Sequence, residues 1–190
     1  MNTSAVERDV MEYNVVVVGA GPAGLACAIR LKQLKPELSV CVLEKASAVG
    51  AHSLSGAVLE PGPLEQLLPE WKTHYTGMKV PVAEDEFRIF TPTGSYQPVP
   101  HFLVKMLPAS MTYSTPFNNH GNYITSLGQL TAWLAQKAEA LGVEIFPGFA
   151  AADAVFDDSG KVRGVRIGDM GLQRNGEPGP NYTAGVEIHA

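Results

Sequence analysis

The sequence is poor in cysteine: Cys27 and Cys41 are the only two in 190 residues. Neither belongs to a CxxC pair, so a disulfide framework is not expected and a reducing compartment is the default. The five histidines show no ligand spacing around them, which argues against a zinc site, and no metal ligands are assigned. No uninterrupted apolar run of about 18 residues occurs, so no transmembrane helix is read. Residues 1–12 lack an apolar core and carry Glu7, Asp9 and Glu12. That fits neither a secretory signal nor an Arg-rich, acid-poor transit peptide, and the segment reads as a polar tail. Positive charge is also scarce: 14 Lys and Arg stand against 19 Asp and Glu, a net −5 that argues against a nucleic-acid partner.

What is present is enough for a core. Apolar residues make up 45% of the chain and charged residues 17%, which excludes disorder over most of the length. Tyr13 to Val18 is a β-branched run with apolar residues on both faces, the pattern of a central parallel strand. Ala23 to Lys35 reads as a helix stopped by Pro36, with Leu25, Ala26, Ala28 and Ile29 on its packed face. Leu38 to Glu44 is a second strand. Together these form a βαβ unit, which calls for a right-handed crossover.

Lys45 to Gly62 is rich in Gly, Ser and Ala and is expected to be a loop, with a short helix from Leu64 to Trp71. Pro92, Pro98, Pro100, Pro108 and Pro116 forbid a long helix from Pro81 to Pro116. Ser126 and Gln129 have capping-box spacing ahead of a helical stripe, Leu127, Leu130, Leu134, Ala138 and Leu141, with Gly142 placed as its C-terminal cap. Val143 to Phe146 reads as a strand. Ala150 to Phe156 and Lys161 to Ile167 read as a hairpin turned by Asp157-Asp158-Ser159-Gly160. Gly168 to Gly185 is expected to be a polar loop, and Val186 to His189 a strand.

Gly19-Ala20-Gly21-Pro22-Ala23-Gly24 matches GxGxxG in the context the motif requires, after a strand and opening a helix. Gly19 allows the tight turn, Gly21 lets the backbone approach a pyrophosphate, and Gly24 lets helix and strand pack closely. Pro22 and Ala23 open the helix whose free N–H groups would face the phosphates. Glu44 lies 20 residues past Gly24, at the end of the second strand, where a carboxylate can accept hydrogen bonds from an adenosine ribose. NAD and FAD share this fingerprint.

Glu44-Lys45 followed by Gly50-Ala51 resembles the extended FAD signature of the glutathione-reductase-like flavoproteins. That resemblance implies an α/β, Rossmann-like FAD-binding domain with a β-meander. It also implies that Phe149-Ala150 runs past the adenine.

Longer blocks resemble one family, the electron-transfer flavoprotein:ubiquinone oxidoreductases. They include Arg30 to Leu34, Gly50-Ala51-His52-Ser53-Leu54-Ser55-Gly56-Ala57, Asn118-Asn119-His120-Gly121-Asn122-Tyr123-Ile124, Gly168-Asp169-Met170-Gly171 and Gly176-Glu177-Pro178. The resemblance implies FAD, with His52, Ser53, Ser55 and Gly56 in the loop beside it. It implies electron-transfer flavoprotein and ubiquinone as partners, and a membrane surface on which the enzyme lies without spanning. It also implies a [4Fe–4S] cluster whose cysteines lie outside this chain. Cys27 and Cys41 are expected to be packing residues. The chain reads as an N-terminal portion of such an enzyme, and the missing leader leads to the expectation of a bacterial protein at the cytoplasmic face of the inner membrane.

Phe102, Leu103, Val104, Met106, Leu107 and Phe117 crowd a proline-broken segment, and exposed together they would exceed the apolar patch a soluble monomer tolerates. The resemblance puts them at the quinone pocket and membrane surface; covering the back of the FAD domain is the other reading. His52 and His120 are proton-donor candidates beside flavin or quinone, or simply hydrogen-bonded loop histidines. The expected organisation is a tail over 1–12, FAD-binding segments over 13–80 and 121–190, and an inserted quinone- and membrane-contacting region over 81–120. Other flavoenzymes of this fold, a hydroxylase or a prenyl reductase, remain alternatives, as does a non-catalytic dinucleotide-binding module.

Overall fold

A computed structural model describes residues 8–53, 55–78, 80–83, 88–96 and 119–190. In chain order the elements begin with β1 (Val10–Glu12), β2 (Val15–Val18), α1 (Pro22–Leu34), β3 (Val40–Glu44), β4 (Ser55–Leu59), α2 (Pro61–Leu67) and α3 (Trp71–His74). There follow β5 (Val80–Pro81), β6 (Ile89–Thr91), β7 (Gly94–Tyr96), β8 (Tyr123–Ser126), α4 (Leu127–Ala140) and β9 (Val143–Pro147). The last are β10 (Ala151–Phe156), β11 (Val162–Ile167), β12 (Met170–Leu172), β13 (Pro178–Thr183) and β14 (Glu187–His189). The chain divides into two compact units, one made of residues 1–54 and 127–190 and the other of residues 55–126.

The first unit is layered. A parallel sheet has the order β2-β3-β9, with Val18 opposite Leu43 and Glu44 opposite Pro147. Helices α1 and α4 pack on each other and on this sheet. Leu25, Ala28 and Ile29 of α1 and Leu130, Leu134 and Ala138 of α4 are buried, as the helical spacing predicts. Gly142 caps α4 at φ +82°.

Strand β3 is apolar from Val40 to Leu43, so alternation sends side chains into two cores. Cys41 and Leu43 meet Ile167 and Ile188 of a second sheet, β1-β14-β11-β10, with Met11, Tyr13, Val16 and Phe146 packed around them. Burying this second face is what allows β3 to carry no polar residue before Glu44.

Several expectations are corrected. Among the described residues β2 lies at the edge of the parallel sheet and β3 is the central strand; Val18 is exposed. Val10–Glu12, expected within a polar tail, pairs in parallel with β14. Lys45 to Gly62 is not all loop, because β4 pairs with β8, a partner more than 60 residues away that no local pattern reveals. The expected helix from Leu64 to Trp71 is two short helices, α2 and α3.

Gly168 to Gly185 contains the hairpin β12–β13. There the glycines permit pairing: a Cβ on Gly171 would sit 2.1 Å from the Asn181 carbonyl oxygen. Cys41 is buried as expected, but Cys27 is exposed, lying off the Leu25–Ala28–Ile29 face of α1. Desolvation, reinforced by Glu144, pushes the Cys41 thiol up to about 11. An alkylating reagent should therefore label Cys27 in the folded protein and reach Cys41 only on unfolding. Peptide mapping of the labelled sites checks this.

The second unit holds the antiparallel sheet β4-β8-β5 and the hairpin β6–β7. Its buried side chains include Leu64, Trp71, Tyr75 and Met78, with Trp71 edge-on to Tyr123 at 5.8 Å. The Tyr75 hydroxyl and Thr125 Oγ1 satisfy each other at 3.1 Å.

The start of the described chain is clasped to the β12–β13 region of the first unit. Arg8 donates to both oxygens of Asp169, at 2.5 and 3.1 Å, and to the Gly185 carbonyl. Asp169 also accepts from the Gly185 amide and the Tyr182 hydroxyl. The Arg8 bonds first, and then the Gly185 amide, hold the Asp169 carboxyl well below the usual carboxylate range. A depressed folded-state value means the clasp contributes fully above the unfolded-state value, about pH 4, and is lost as the pH falls toward the folded one. The melting-temperature gap between the native protein and Asp169→Asn should be open at pH 6 and narrow steadily below about pH 4. Parallel thermal melts across that range measure it, and a constant gap would contradict it.

Candidate functional site

The carboxyl ends of β2 and β3 lie side by side at one edge of the parallel sheet, and there the glycine turn after β2 meets Glu44. The Gly19 amide donates to the Leu43 carbonyl at 2.7 Å, so the chain leaves β2 while still tied to β3. Gly19 has φ +102°, a conformation that β-carbons disfavour. A Cβ on Gly24 would lie 2.1 Å from the Gly19 carbonyl oxygen and 3.2 Å from Val17 Cγ1. A Cβ on Gly21 would meet nothing within 4 Å. The first and third glycines are thus consumed by the turn and the helix packing, and the second faces open space.

Helix α1 begins at Pro22, and Gly21 supplies no side-chain cap. Its first-turn N–H groups therefore lack the partner a Ser, Thr or Asp cap would provide, and the helix dipole adds positive potential. An open glycine surface leading to an uncapped helix start fits a pyrophosphate, and so fits the dinucleotide part of FAD or NAD.

Glu44 is pinned rather than free. Its Oε2 accepts from the Ala20 amide at 3.0 Å and its Oε1 from the Ala46 amide at 2.8 Å. Each oxygen keeps acceptor capacity for a further donor, such as a ribose hydroxyl. The Ala46 carbonyl in turn accepts from the Gly148 amide at 2.8 Å, tying the loop after β3 to the end of β9. The roles of Ala20, Ala46 and Gly148 are backbone roles, which residue identity does not signal.

The other singled-out residues are placed as follows. Lys45 and His52 are exposed, and the Ser53 amide donates to the Gly50 carbonyl at 3.0 Å. Ala150 is exposed at the entry to β10, and its carbonyl accepts from Gly168. Ser55 and Gly56 begin β4, in the second unit, and Gly56 has φ +87°. His120 lies in the turn before β8. Phe102, Leu103, Val104, Met106, Leu107 and Phe117 lie outside the described residues. Among the described residues no group of three or more His, Cys, Asp or Glu could hold a metal ion. The chain's two cysteines, one in a buried strand and one on the outside of α1, do not fit a [4Fe–4S] cluster.

Residues 17–106 match the model of the NAD(P)-binding Rossmann-like domain. Across 97% of its length the chain is 50% identical to the electron transfer flavoprotein-ubiquinone oxidoreductase of Pseudomonas aeruginosa, covering 33% of that protein. It is 47% identical, again across 97%, to the mitochondrial enzyme of that name from Homo sapiens, covering 29% of it. Over nearly its whole length this chain is similar to the electron transfer flavoprotein-ubiquinone oxidoreductases. It spans about a third of the length of these relatives.

Solved structures share the fold at lower identity. A geranylgeranyl bacteriochlorophyll reductase-like protein from Thermoplasma acidophilum aligns over 95% of this chain and 38% of its own, with TM-score 0.61 and 22% identity. Aklavinone-11 hydroxylase, in a ternary complex with FAD and aklavinone, aligns over 94% and 32%, with TM-score 0.54 and 18% identity. These likenesses show a shared Rossmann-like α/β fold.

Proposed function

We propose that this chain is the FAD-binding part of an oxidoreductase that passes electrons from reduced electron transfer flavoprotein to ubiquinone at a membrane surface. The observation that carries the reading is identity of 46–50% across 97% of the chain to proteins of that name. The geometry supports its cofactor half. Gly19, Gly21, Pro22, Ala23 and Gly24 would cradle the pyrophosphate, and Glu44 would receive the adenosine ribose. Lys45, His52, Ser53, Ser55, Gly56 and Ala150 would flank the rest of the cofactor. When bound, FAD supplies the electron-carrying chemistry. This chain's residues bind and orient it, and the Glu44 carboxylate, held by two amides, presents its remaining lone pairs without rearrangement. The [4Fe–4S] cluster of such an enzyme would be held outside this chain.

A membrane surface is supported by the β6–β7 hairpin, whose strand residues are exposed; Phe90 is 79% exposed and Tyr96 54%. With Phe102, Leu103, Val104, Met106, Leu107 and Phe117 following, residues 81–120 would form the quinone- and membrane-contacting region. No helix among the described residues is long and apolar enough to cross a bilayer, which is compatible with peripheral contact. The side on which it works is proposed to be the cytoplasmic face of a bacterial inner membrane.

The test is reconstitution. The full-length enzyme should take up FAD, absorb at about 450 nm as oxidised flavins do, and reduce ubiquinone when given reduced electron transfer flavoprotein. A flavin-loaded enzyme that instead consumes a nicotinamide cofactor and hydroxylates or saturates a substrate would replace this reading with another. Phe90→Asp combined with Phe102→Asp should abolish co-flotation with liposomes, and unchanged partition would remove the membrane surface.

A further inference from the structure

Three segments converge on the carboxyl edge of the parallel sheet. Two are the glycine turn after β2 and the loop over residues 45–53 after β3. The third is the first turn of α4. That helix packs on β9 and is joined to its start through Leu141 and Gly142, so it runs against the strand direction and begins near the edge where β3 and β9 end. Ligands of open α/β sheets bind beyond this edge.

The loop touches α4 backbone to backbone. A Cβ on Gly50 would lie 2.6 Å from the Gly128 carbonyl oxygen, 3.3 Å from its carbonyl carbon and 3.4 Å from its Cα. Gly50 has φ +84°. No flexible side chain stands on either side of the contact to yield. At its other end the loop is held by Glu44 through the Ala46 amide. Between the two anchors the Ala51 amide donates to Ala48 and the Ser53 amide to Gly50, so the segment is a chain of turns with little slack. Gly128 has a cost of its own: in a helix, glycine is less stable than alanine by about 1 kcal/mol.

We propose that the first turn of α4 is the seat that positions the cofactor loop, with Gly50 the positioning residue that lets the loop settle on Gly128. The proposal rests on the dinucleotide-binding reading above. Any β-carbon at position 50 lifts residues 45–53 off α4, moving the loop relative to the glycine turn anchored by Glu44. The loop then meets the cofactor out of register. Backbone strain at Gly50 and steric seating on α4 make different demands: asparagine tolerates positive φ but still carries a Cβ.

The experiment compares Gly50→Ala, Gly50→Asn and Gly160→Ala in the purified full-length enzyme, with FAD affinity read by quenching of flavin fluorescence and folding by circular dichroism. Gly160 has φ +81° in the β10–β11 turn with open space around it, so its alanine variant reports the conformational cost alone. Both Gly50 variants should bind FAD about tenfold more weakly or worse, equivalent to ~1.4 kcal/mol or more, while Gly160→Ala binds normally. Native affinity in Gly50→Asn overturns the seat, leaving φ as the cause, and native affinity in both Gly50 variants overturns the positioning role altogether. Hydrogen exchange on the unaltered protein decides the matter if the variants do not fold. FAD should slow exchange in residues 45–53 and 127–131 together, and protection confined to the loop overturns the proposal. An unaltered protein that takes up no FAD removes the underlying reading and the seat with it.

Discussion

Gly24→Ala should abolish measurable FAD binding and destabilise the fold by about 3 kcal/mol, in the range for forced overpacking. On propensity alone the sign would be opposite, since Gly24 lies inside α1, where alanine is favoured over glycine by roughly 1 kcal/mol. The contact reverses it. The added Cβ would meet the Gly19 carbonyl oxygen at 2.1 Å, a backbone atom of the turn whose φ of +102° is already restricted. Relief requires α1 to move away from β2 or the turn to open, and either displaces the uncapped helix start that would face the pyrophosphate. Flavin titration and urea denaturation of the variant measure the two effects. Native FAD affinity in Gly24→Ala would mean that the close approach is not what forms the site.

Leu43→Ala is the second large effect, expected to cost about 3 kcal/mol and to lower the melting temperature by roughly 10 °C. Leu43 is 1% exposed and lies between the parallel sheet and the second sheet, in the core it shares with Cys41, Ile167 and Ile188. Its backbone carbonyl receives the Gly19 amide, and Glu44 follows it directly. A cavity at Leu43 therefore loosens the platform on which the glycine turn stands. FAD affinity should fall less than stability, because the β2–β3 register is a backbone property that the substitution leaves in place. A loss of affinity with no loss of stability would argue for a direct role of the side chain instead.

Much of the site was legible in the sequence because its signals are local. The glycine turn, the helix it opens and Glu44 fall within one βαβ unit, and each answers to a short-range demand: a tight turn, an open phosphate approach, a carboxylate at a strand end. The helical stripe was equally readable from Leu127 to Ala138, since one apolar face per turn is a property of spacing, but Leu141, expected on the same stripe, lies past the end of the helix and is exposed.

Hidden from it were relations between distant segments. Strand β4 opens with a bland Ser-Gly-Ala and pairs with β8, more than 60 residues on; β1 pairs with β14, at the other end of the chain. The glycines of β12–β13 read as loop signals, although they are what lets two backbones approach.

The sequence by itself determined that the chain carries a dinucleotide fingerprint on a strand–helix–strand frame, because those requirements are met by neighbours in the chain. Only the tertiary structure decided that Glu44 is held by the Ala20 and Ala46 amides, that Arg8 closes on Asp169, and that Gly50 rests on Gly128. Apart from the local bond between Glu44 and the Ala46 amide, these are contacts between residues far apart in sequence, and folding alone brings them within reach of each other.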